Sequence, residues 1–278
     1  MTIWVLFAVL FAAFLHALWN AIIKLGVSKL TSMLIMTIVQ GLFGFFFALS
    51  RPLPDAEVWL WLLGSGVFHC AYKLFLAFAY EQGDLSRVYP IARGAAPLVV
   101  MLFSLVFLFE GMSAWEYAGI AVLGAGILAM AQGVFNSGES RRLVPFALGS
   151  ALMTAGYSIV DGMGARLSGD AATYVAWLFT FDLLFFFPVV LLMRGRSVLS
   201  APTMAWAMGG IAAVASYGAY AIAVWAMTIA PIALVTALRE TSILFAVMIG
   251  WLFFGEKLGK QKLLAATLIV VGVALTRL

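Results

Sequence analysis

The feature that most limits what this chain can fold into is a series of apolar runs, each close to 20 residues long. A helix needs about 20 apolar residues to cross roughly 30 Å of hydrocarbon. Of the 278 residues, 65% are hydrophobic and only 10% are charged, whereas about a quarter of the residues in a soluble domain are charged. The sequence therefore predicts an all-α membrane protein.

Charged residues and Pro or Gly clusters divide the chain into ten predicted transmembrane helices. They cover residues 3–23, 31–49, 58–80, 86–109, 115–135, 143–163, 172–193, 203–228, 231–254 and 263–276. The first run has no basic region before it and is too long for a signal peptide, so it is expected to remain as helix 1. The connections are too short for a soluble domain, so the function is expected to lie within the membrane.

Lys and Arg are unevenly distributed between the two sides of this predicted bundle. On one side lie Lys24, Lys29, Arg87, Arg141, Arg142, Arg194, Arg196, Lys257, Lys260 and Lys262. On the other side lie Arg51, Arg166 and Arg277. Because cytoplasmic loops carry an excess of Lys and Arg, the first side is predicted to be cytoplasmic. We therefore expect a multi-pass protein of the inner (cytoplasmic) membrane, with both termini on the periplasmic or outer side.

The chain also matches itself at an offset of 146 residues. The pairs that set the register are Arg93 and Arg239, Phe107 and Phe253, Glu110 and Glu256, and Gly126 and Gly272. Each repeat holds five spans, an odd number, so the second must enter the membrane in the opposite sense to the first. The sequence predicts two inverted five-helix domains, residues 1–137 and 143–278, around a central cavity, as in many secondary transporters.

Three short segments connect this pattern to a known group. Helix 1 contains His16-Ala17-Leu18-Trp19-Asn20, helix 4 contains Tyr89-Pro90-Ile91-Ala92-Arg93-Gly94, and a Glu ends helices 4 and 9. With ten spans in two repeats, the sequence resembles the drug/metabolite transporter superfamily, in its EamA-like branch. The resemblance implies a central cavity lined mainly by helices 1, 3, 4, 6, 8 and 9. It does not indicate the substrate, because the superfamily includes exporters of amino acids, drugs and other metabolites as well as importers.

Polar and aromatic side chains inside the spans are the candidate substrate-binding residues. A charge at the bilayer centre costs about 2.5–3.5 kcal/mol on insertion scales, so it normally faces a cavity or a partner. The candidates are His16, Trp19, Asn20, Tyr72, Lys73, Tyr89, Arg93, Tyr157, Tyr217, Tyr220 and Arg239. The alternative for His16 and Asn20 is hydrogen bonding to neighbouring helices, and for Tyr217 and Tyr220 it is packing or an interfacial belt.

The charged candidates allow two interpretations. Arg93 and Arg239 are repeat-related, and their guanidinium groups suit a carboxylate or a phosphonate, although a structural salt bridge is the alternative for each. Lys73 either binds an anionic group of the substrate or pairs with an acid. Glu240 cannot easily pair with the adjacent Arg239 on a helix, so it is expected to find another partner, with Lys73 as one possibility.

Asp161 and Glu240 are the candidates for proton coupling. A coupling carboxylate must alternate between charged and neutral forms, and burial favours the neutral form. Asp182 lies outside the expected lining helices and is expected to be structural. Together these three deep acids balance the three deep bases, which fits a zwitterion or a small anion better than an organic cation.

The predicted function is secondary active transport of a small zwitterionic or anionic metabolite, such as an amino acid, by alternating access, with export coupled to protons. The alternatives are a membrane-embedded enzyme, which would need paired acids, a metal cluster or an activated nucleophile, and a channel, which would need a continuous polar lining. No enzyme activity, cofactor or metal is expected. The expected partners are the substrate and the lipid bilayer, in a monomer or a homodimer. Nucleic acid is not expected, because Lys and Arg lie in short loops.

Overall fold

A computed structural model describes residues 1–25, 28–82, 85–136, 142–254 and 259–278, without the side chains of 24–25, 80–81, 85–91, 130–136, 254 and 260–262. All regular elements in these residues are helical. The α-helices are α1 (Ile3–Leu25), α2 (Lys29–Leu49), α3 (Val58–Gln82), α4 (Leu85–Phe103), α5 (Ala114–Asn136), α6 (Leu143–Ser168), α7 (Ala171–Arg194), α8 (Thr203–Ile229), α9 (Ile232–Arg239), α10 (Ser242–Phe254) and α11 (Lys260–Leu275). A π-helical turn, Ser104–Leu108, follows α4, and a 3-10 turn, Arg196–Leu199, precedes α8.

The helices agree with the predicted spans. Within the described residues, 7 helices are long and apolar enough to cross a membrane. Shorter apolar helices at Ala92–Leu108, Ala114–Ala129 and Leu263–Leu275 lie at the positions of the other predicted spans. The ninth predicted span consists of α9 and α10, which are separated by Glu240 and Thr241. The prediction of an all-α, multi-pass membrane protein is confirmed.

Several helix ends follow from local sequence. Ser28 precedes α2 and accepts a hydrogen bond from the Thr31 backbone N–H at 3.2 Å, which is the usual role of an N-cap serine. Asp170 caps α7 in the same way, accepting from the Thr173 hydroxyl at 2.6 Å and from two backbone N–H groups. These hydrogen bonds, led by that of Thr173, lower the pKa of the Asp170 carboxyl below its ordinary value. Gly169 ends α6 with φ +68°, a conformation that glycine adopts without strain.

The helices pair across the two halves of the chain. α3 packs against α6 and α7, α1 packs against α8, and α2 packs against α7 and α8. α4 packs against α5 and α6, and α1 also packs against α9 and α10. The Arg277 side chain donates to the Met1 carbonyl oxygen at 2.8 Å, so the start of α1 and the end of α11 lie on the same side of the bundle.

α5 and α11 approach each other backbone to backbone. A Cβ atom on Gly119 would lie 2.6 Å from the Gly272 carbonyl oxygen, and one on Gly272 would lie 2.7 Å from the Gly119 carbonyl oxygen. Further along the pair, a Cβ on Gly126 would lie 3.1 Å from the Ala265 carbonyl oxygen. Small residues permit this kind of close packing between membrane helices. We call this contact the α5–α11 seam.

The bundle has a polar interior and an apolar exterior. Large apolar side chains such as Trp4 (78%) and Leu192 (88%) are exposed, as expected for a surface that faces lipid. Among the described residues, the buried Asp, Glu, Lys, Arg and His residues, each at most 8% exposed, are His16, His69, Lys73, Arg93, Asp161, Asp182, Arg239 and Glu240. These groups require partners or a cavity, and they define the candidate site.

Candidate functional site

A small cavity lies where the buried polar groups meet. Its volume is about 40 Å³, enough for a few water molecules. It is lined by His16, Trp19, Met33, Met36, Gln40, His69, Tyr72, Lys73, Tyr157, Phe179, Asp182, Ser216, Tyr220 and Arg239. These residues come from α1, α2, α3, α6, α7, α8 and α9. The cavity is therefore shared by both halves of the chain.

Lys73 is neutralised by Asp182. Its ammonium group forms an ion pair with the Asp182 carboxylate and donates to the Thr37 hydroxyl at 2.6 Å. The ammonium also lies 5.0 Å from the centre of the Phe186 ring. The suggestion that Lys73 pairs with Glu240 is wrong, because Asp182 occupies that role. Asp182 holds Lys73 in place, as a structural residue would, but it also lines the cavity.

Arg93 is neutralised by Glu240. The Arg93 Nε atom donates to Glu240 Oε2 at 3.0 Å, and Nη2 lies 2.8 Å from Oε1. The two side chains are 2% and 1% exposed, respectively. This two-point ion pair joins α4 to the break between α9 and α10. This ion pair is the structural salt bridge that the sequence analysis gave as the alternative to substrate binding for Arg93.

The surroundings of Arg239 differ from those of Arg93, its counterpart in the first repeat. Its side chain lines the cavity and is buried, with the residue 5% exposed. The guanidinium carbon lies 4.9 Å from the centre of the Tyr220 ring, a cation–π contact. No acidic side chain in the described part of the chain forms an ion pair with it. Arg239 therefore brings to the cavity a buried guanidinium that forms no ion pair within this part of the chain.

Asp161 forms the centre of a hydrogen-bonded cluster drawn from four helices. Its carboxylate accepts from the Tyr220 hydroxyl, lies 3.0 Å from His69 Nε2, and accepts from the Tyr174 hydroxyl at 3.3 Å. His69 stacks on Tyr157 with ring centres 4.2 Å apart. Asp161 itself is fully buried behind Tyr220 and His69, which line the cavity. We call these five residues the Asp161 cluster.

The helix 1 candidates divide into two groups. His16 and Trp19 line the cavity, and the Trp19 indole N–H donates to His16 Nδ1 at 3.2 Å. Asn20 donates to the His16 carbonyl oxygen at 2.8 Å, within its own helix. The structure brings the first two to the site and leaves Asn20 outside the cavity lining.

The tyrosine candidates also differ in position. Tyr72, Tyr157 and Tyr220 line the cavity. Tyr217 is not among the lining residues and packs with its ring 4.8 Å from that of Phe179. The Tyr89 side chain lies outside the described residues.

The lining helices are only partly those that the resemblance implied. α2 contributes Met33, Met36 and Gln40, and α7 contributes Phe179 and Asp182. Among the described side chains, none from α4 lines the cavity. Gln40 is a polar residue in an apolar run, a signal that could have been used, whereas the methionines give no such signal.

A further ion pair lies at one end of the bundle. The Arg166 guanidinium lies 2.7 Å from the Glu110 carboxylate and donates to the carbonyl oxygens of Met227 at 2.8 Å and Ala230 at 2.9 Å. Glu110 also accepts from the Ile232 backbone N–H at 2.9 Å. The positive Arg166 side chain thus lies at the C-terminal end of α8, and the negative Glu110 side chain lies at the N-terminal end of α9. Each charge is favourable for the dipole of the helix it contacts. We call this arrangement the Glu110 clasp.

A larger cavity lies at the opposite end, where α2 begins and α7 ends. Its volume is about 540 Å³. Its described lining residues are Ser28, Lys29, Leu30, Thr31, Ala77, Arg194, Ser197 and Val198. Ala77 lies one helical turn from Lys73 on α3, so this cavity approaches the small cavity from that end.

Comparisons with known proteins identify the architecture. The chain is 28% identical over 137 residues to a Sinorhizobium sp protein described as "Uncharacterized transporter in cobO 3'region", an alignment that covers 46% of this chain and 96% of that protein. Its fold is similar to that of a protein of known crystal structure, with a TM-score of 0.70, 19% identity, and coverage of 98% of this chain and 94% of the other. A model of the EamA-like transporter family matches residues 2–132 and again residues 142–278. The chain is therefore a membrane protein that belongs to the EamA-like transporter family.

Proposed function

We propose that this protein is a secondary active transporter that carries a small metabolite with an anionic group across the cytoplasmic membrane by alternating access. The observation that carries the proposal is Arg239, a buried guanidinium at the cavity with no ion-pair partner among the described residues. A substrate carboxylate or phosphonate would supply the missing charge, and the guanidinium can bind either through two parallel hydrogen bonds.

The charge balance around the cavity supports this substrate class. Lys73 and Arg93 are engaged by Asp182 and Glu240. The remaining lining includes several aromatic rings and two methionines, which suit the apolar part of a ligand. A simple anion or the carboxylate end of a zwitterion fits this site. An organic cation does not, because the three buried acids nearest the cavity are already paired: Asp161 with His69, Asp182 with Lys73 and Glu240 with Arg93.

The helix pairing supports two inverted repeats, with the halves at 1–137 and 143–278. If α1, α2 and α3 are exchanged for α6, α7 and α8, the pairing of α3 with α6 becomes that of α8 with α1. The pairing of α3 with α7 likewise becomes that of α8 with α2. The α5–α11 seam follows the same rule, because an offset of 146 turns the Gly119–Gly272 contact into Ala265–Gly126.

The two ends of the bundle support alternating access. The end at which α2 begins holds the cavity of about 540 Å³, whereas the Glu110 clasp ties the other end. In the orientation expected from Lys and Arg, the open end faces the cytoplasm and both termini face outward. The small cavity lies between a wide entrance and a closed exit, as an intermediate of such a cycle requires.

Asp161 is the better of the two candidates for proton coupling. Glu240 is held by a hydrogen bond and a second ion-pair contact from a guanidinium that stays protonated at any ordinary pH. Asp161 is bonded to His69 and to two tyrosines, and the carboxyl–imidazole pair can gain or lose a proton as a unit. We therefore assign proton coupling to the Asp161 cluster.

The proposal is tested with purified protein. Thermal shift assays across amino acids, phosphonates and amines select ligands, and counterflow into proteoliposomes with and without a pH gradient follows. We expect saturable counterflow of an anionic or zwitterionic compound. Binding of amines alone would contradict the assignment of Arg239, and flux without counterflow would indicate a channel.

The Glu110 clasp gives a second test of alternating access. In a Cys70→Ala background, Thr236→Cys introduces a thiol at a buried position one turn beyond Ile232 on α9. Adding Glu110→Gln removes the charge of the clasp, and a charge-assisted hydrogen bond contributes about 1.5–3 kcal/mol. We expect maleimide labelling of the thiol to become about tenfold faster. The control is Glu57→Gln, an exposed acid in the loop between α2 and α3, which should not change labelling. Equal rates in both variants would exclude the clasp as a gate.

A further inference from the structure

We infer that Tyr220 couples the anion anchor to the proton site, so that an anion at Arg239 and a proton on the Asp161 cluster bind cooperatively. Tyr220 contacts both groups at once. Its ring lies 4.9 Å from the Arg239 guanidinium carbon, and its hydroxyl donates to the Asp161 carboxylate. The inference rests on the proposed function and adds the residue that links its two sites and the sign of the link.

The surroundings of Asp161 determine that sign. The titratable and charged groups that face Asp161 or Tyr220 come from α3, α6, α7 and α9. They are His69, Tyr157, Tyr174 and Arg239. Arg239 is the group among them that carries a fixed positive charge, so it is the one whose neutralisation changes the field at Asp161.

Tyr220 transmits the effect of the Arg239 charge to Asp161 through its ring and hydroxyl. A cation against the ring face withdraws electron density, which makes the hydroxyl a stronger donor to the carboxylate. A stronger donor favours the ionised form of Asp161. With no anion bound, Arg239 and Tyr220 together therefore favour a charged carboxylate.

A bound anion reverses the effect. It neutralises Arg239 and competes with the Tyr220 ring for the guanidinium, so the ionised carboxylate loses support. The His69–Asp161 pair then takes up a proton more readily. Because coupling between two binding sites is reciprocal, a proton on the pair also strengthens anion binding.

Cooperative binding of the anion and the proton has a consequence for the direction of transport. Ligands that bind together cross the membrane together, whereas exchange in opposite directions requires that they compete. The coupling inferred here is therefore cotransport of an anion with a proton. An inward proton gradient would then drive uptake, in contrast to the export expected from the sequence.

Isothermal titration calorimetry measures this coupling directly. The probes are benzoate, methylphosphonate and phenylphosphonate, titrated into the full-length protein at one pH in buffers with different ionisation enthalpies. The slope against ionisation enthalpy gives the number of protons taken up per anion bound. For the wild type we expect net proton uptake with at least one probe.

Matched variants separate binding from coupling. Tyr220→Phe keeps the ring that faces Arg239 and removes the hydroxyl. It should still bind the anion more tightly than Arg239→Gln does, and it should lose at least half of the proton uptake. Asp161→Asn, which tests the proton site independently of Tyr220, should bind the anion without proton uptake. Tyr117→Phe, which removes a hydroxyl on α5 away from the cavity, should behave as the wild type.

The outcomes distinguish the two proposals. Full proton uptake in Tyr220→Phe would overturn the role of Tyr220. Proton release on anion binding by the wild type would overturn cotransport and restore exchange. A wild type that binds none of the three anions in these titrations would overturn the proposed function, and this inference with it.

Discussion

Replacing Arg239 by glutamine is expected to abolish binding of anionic compounds while leaving the protein folded. The substitution removes the buried charge that an anion would neutralise, and loss of one partner from a buried charge pair costs about 2–5 kcal/mol. We therefore expect affinity to fall about 30-fold or more. Calorimetry in detergent measures the affinity, and counterflow in proteoliposomes measures the transport.

Two further substitutions make this test specific. Arg239→Lys keeps the charge but loses the planar fork, so it should retain weaker binding. Arg51→Gln is the matched control, because Arg51 also lies over an aromatic ring, 5.1 Å from the centre of Phe47, but at the exposed end of α2. That variant should bind anions normally. If Arg239→Gln binds them as well as the wild type, the anchor assignment is wrong.

Replacing Arg93 by alanine is expected to reduce stability rather than specificity. Glu240 would remain 1% exposed without its two-point partner. Breaking a buried ion pair on one side typically costs about 3–5 kcal/mol. A large fall in the melting temperature of the detergent-solubilised protein measures the effect.

A double variant provides the control. Arg93→Met combined with Glu240→Met removes both charges, and apolar replacement of a buried pair is often neutral for stability. We expect the double variant to recover most of the lost melting temperature. A single variant as stable as the wild type would show that Glu240 does not depend on Arg93.

These two arginines show what could be predicted from the sequence and what could not. The offset of 146 residues relates Arg93 to Arg239, and both are buried ionisable groups, as predicted. The repeat suggests equal roles. Their surroundings differ because Glu240 stands where the first repeat has Gly94, and this acid forms its ion pair with Arg93. Repeat symmetry gives the positions of the charges but not which acid neutralises which base.

The partner of Lys73 likewise could not be predicted from the sequence, because it lies far away along the chain. Its depth within helix 3 indicated a partner or a substrate, but three acids were available. Asp182, 109 residues away, is the partner because α3 packs against α7. That packing depends on the shapes of apolar surfaces, which hydropathy does not describe.

The outline of the bundle was easier to predict, because the length of an apolar run is set by the thickness of the bilayer. The cavity lining was harder. Met33 and Met36 in α2 are indistinguishable by composition from lipid-facing residues, yet they line the cavity. The flexible thioethers of Met33 and Met36 adapt to ligands of different shapes. The thermal shift assays should therefore include compounds with varied apolar groups.

The α5–α11 seam limits how such a carrier can move. Where one main chain rests directly on another, no rotamer change is available to let the two helices slide. α5 and α11 are therefore expected to move together as one rigid pair. In the proposed alternating-access cycle, the other helices would therefore tilt against the α5–α11 pair, which would stay fixed on one side of the bundle.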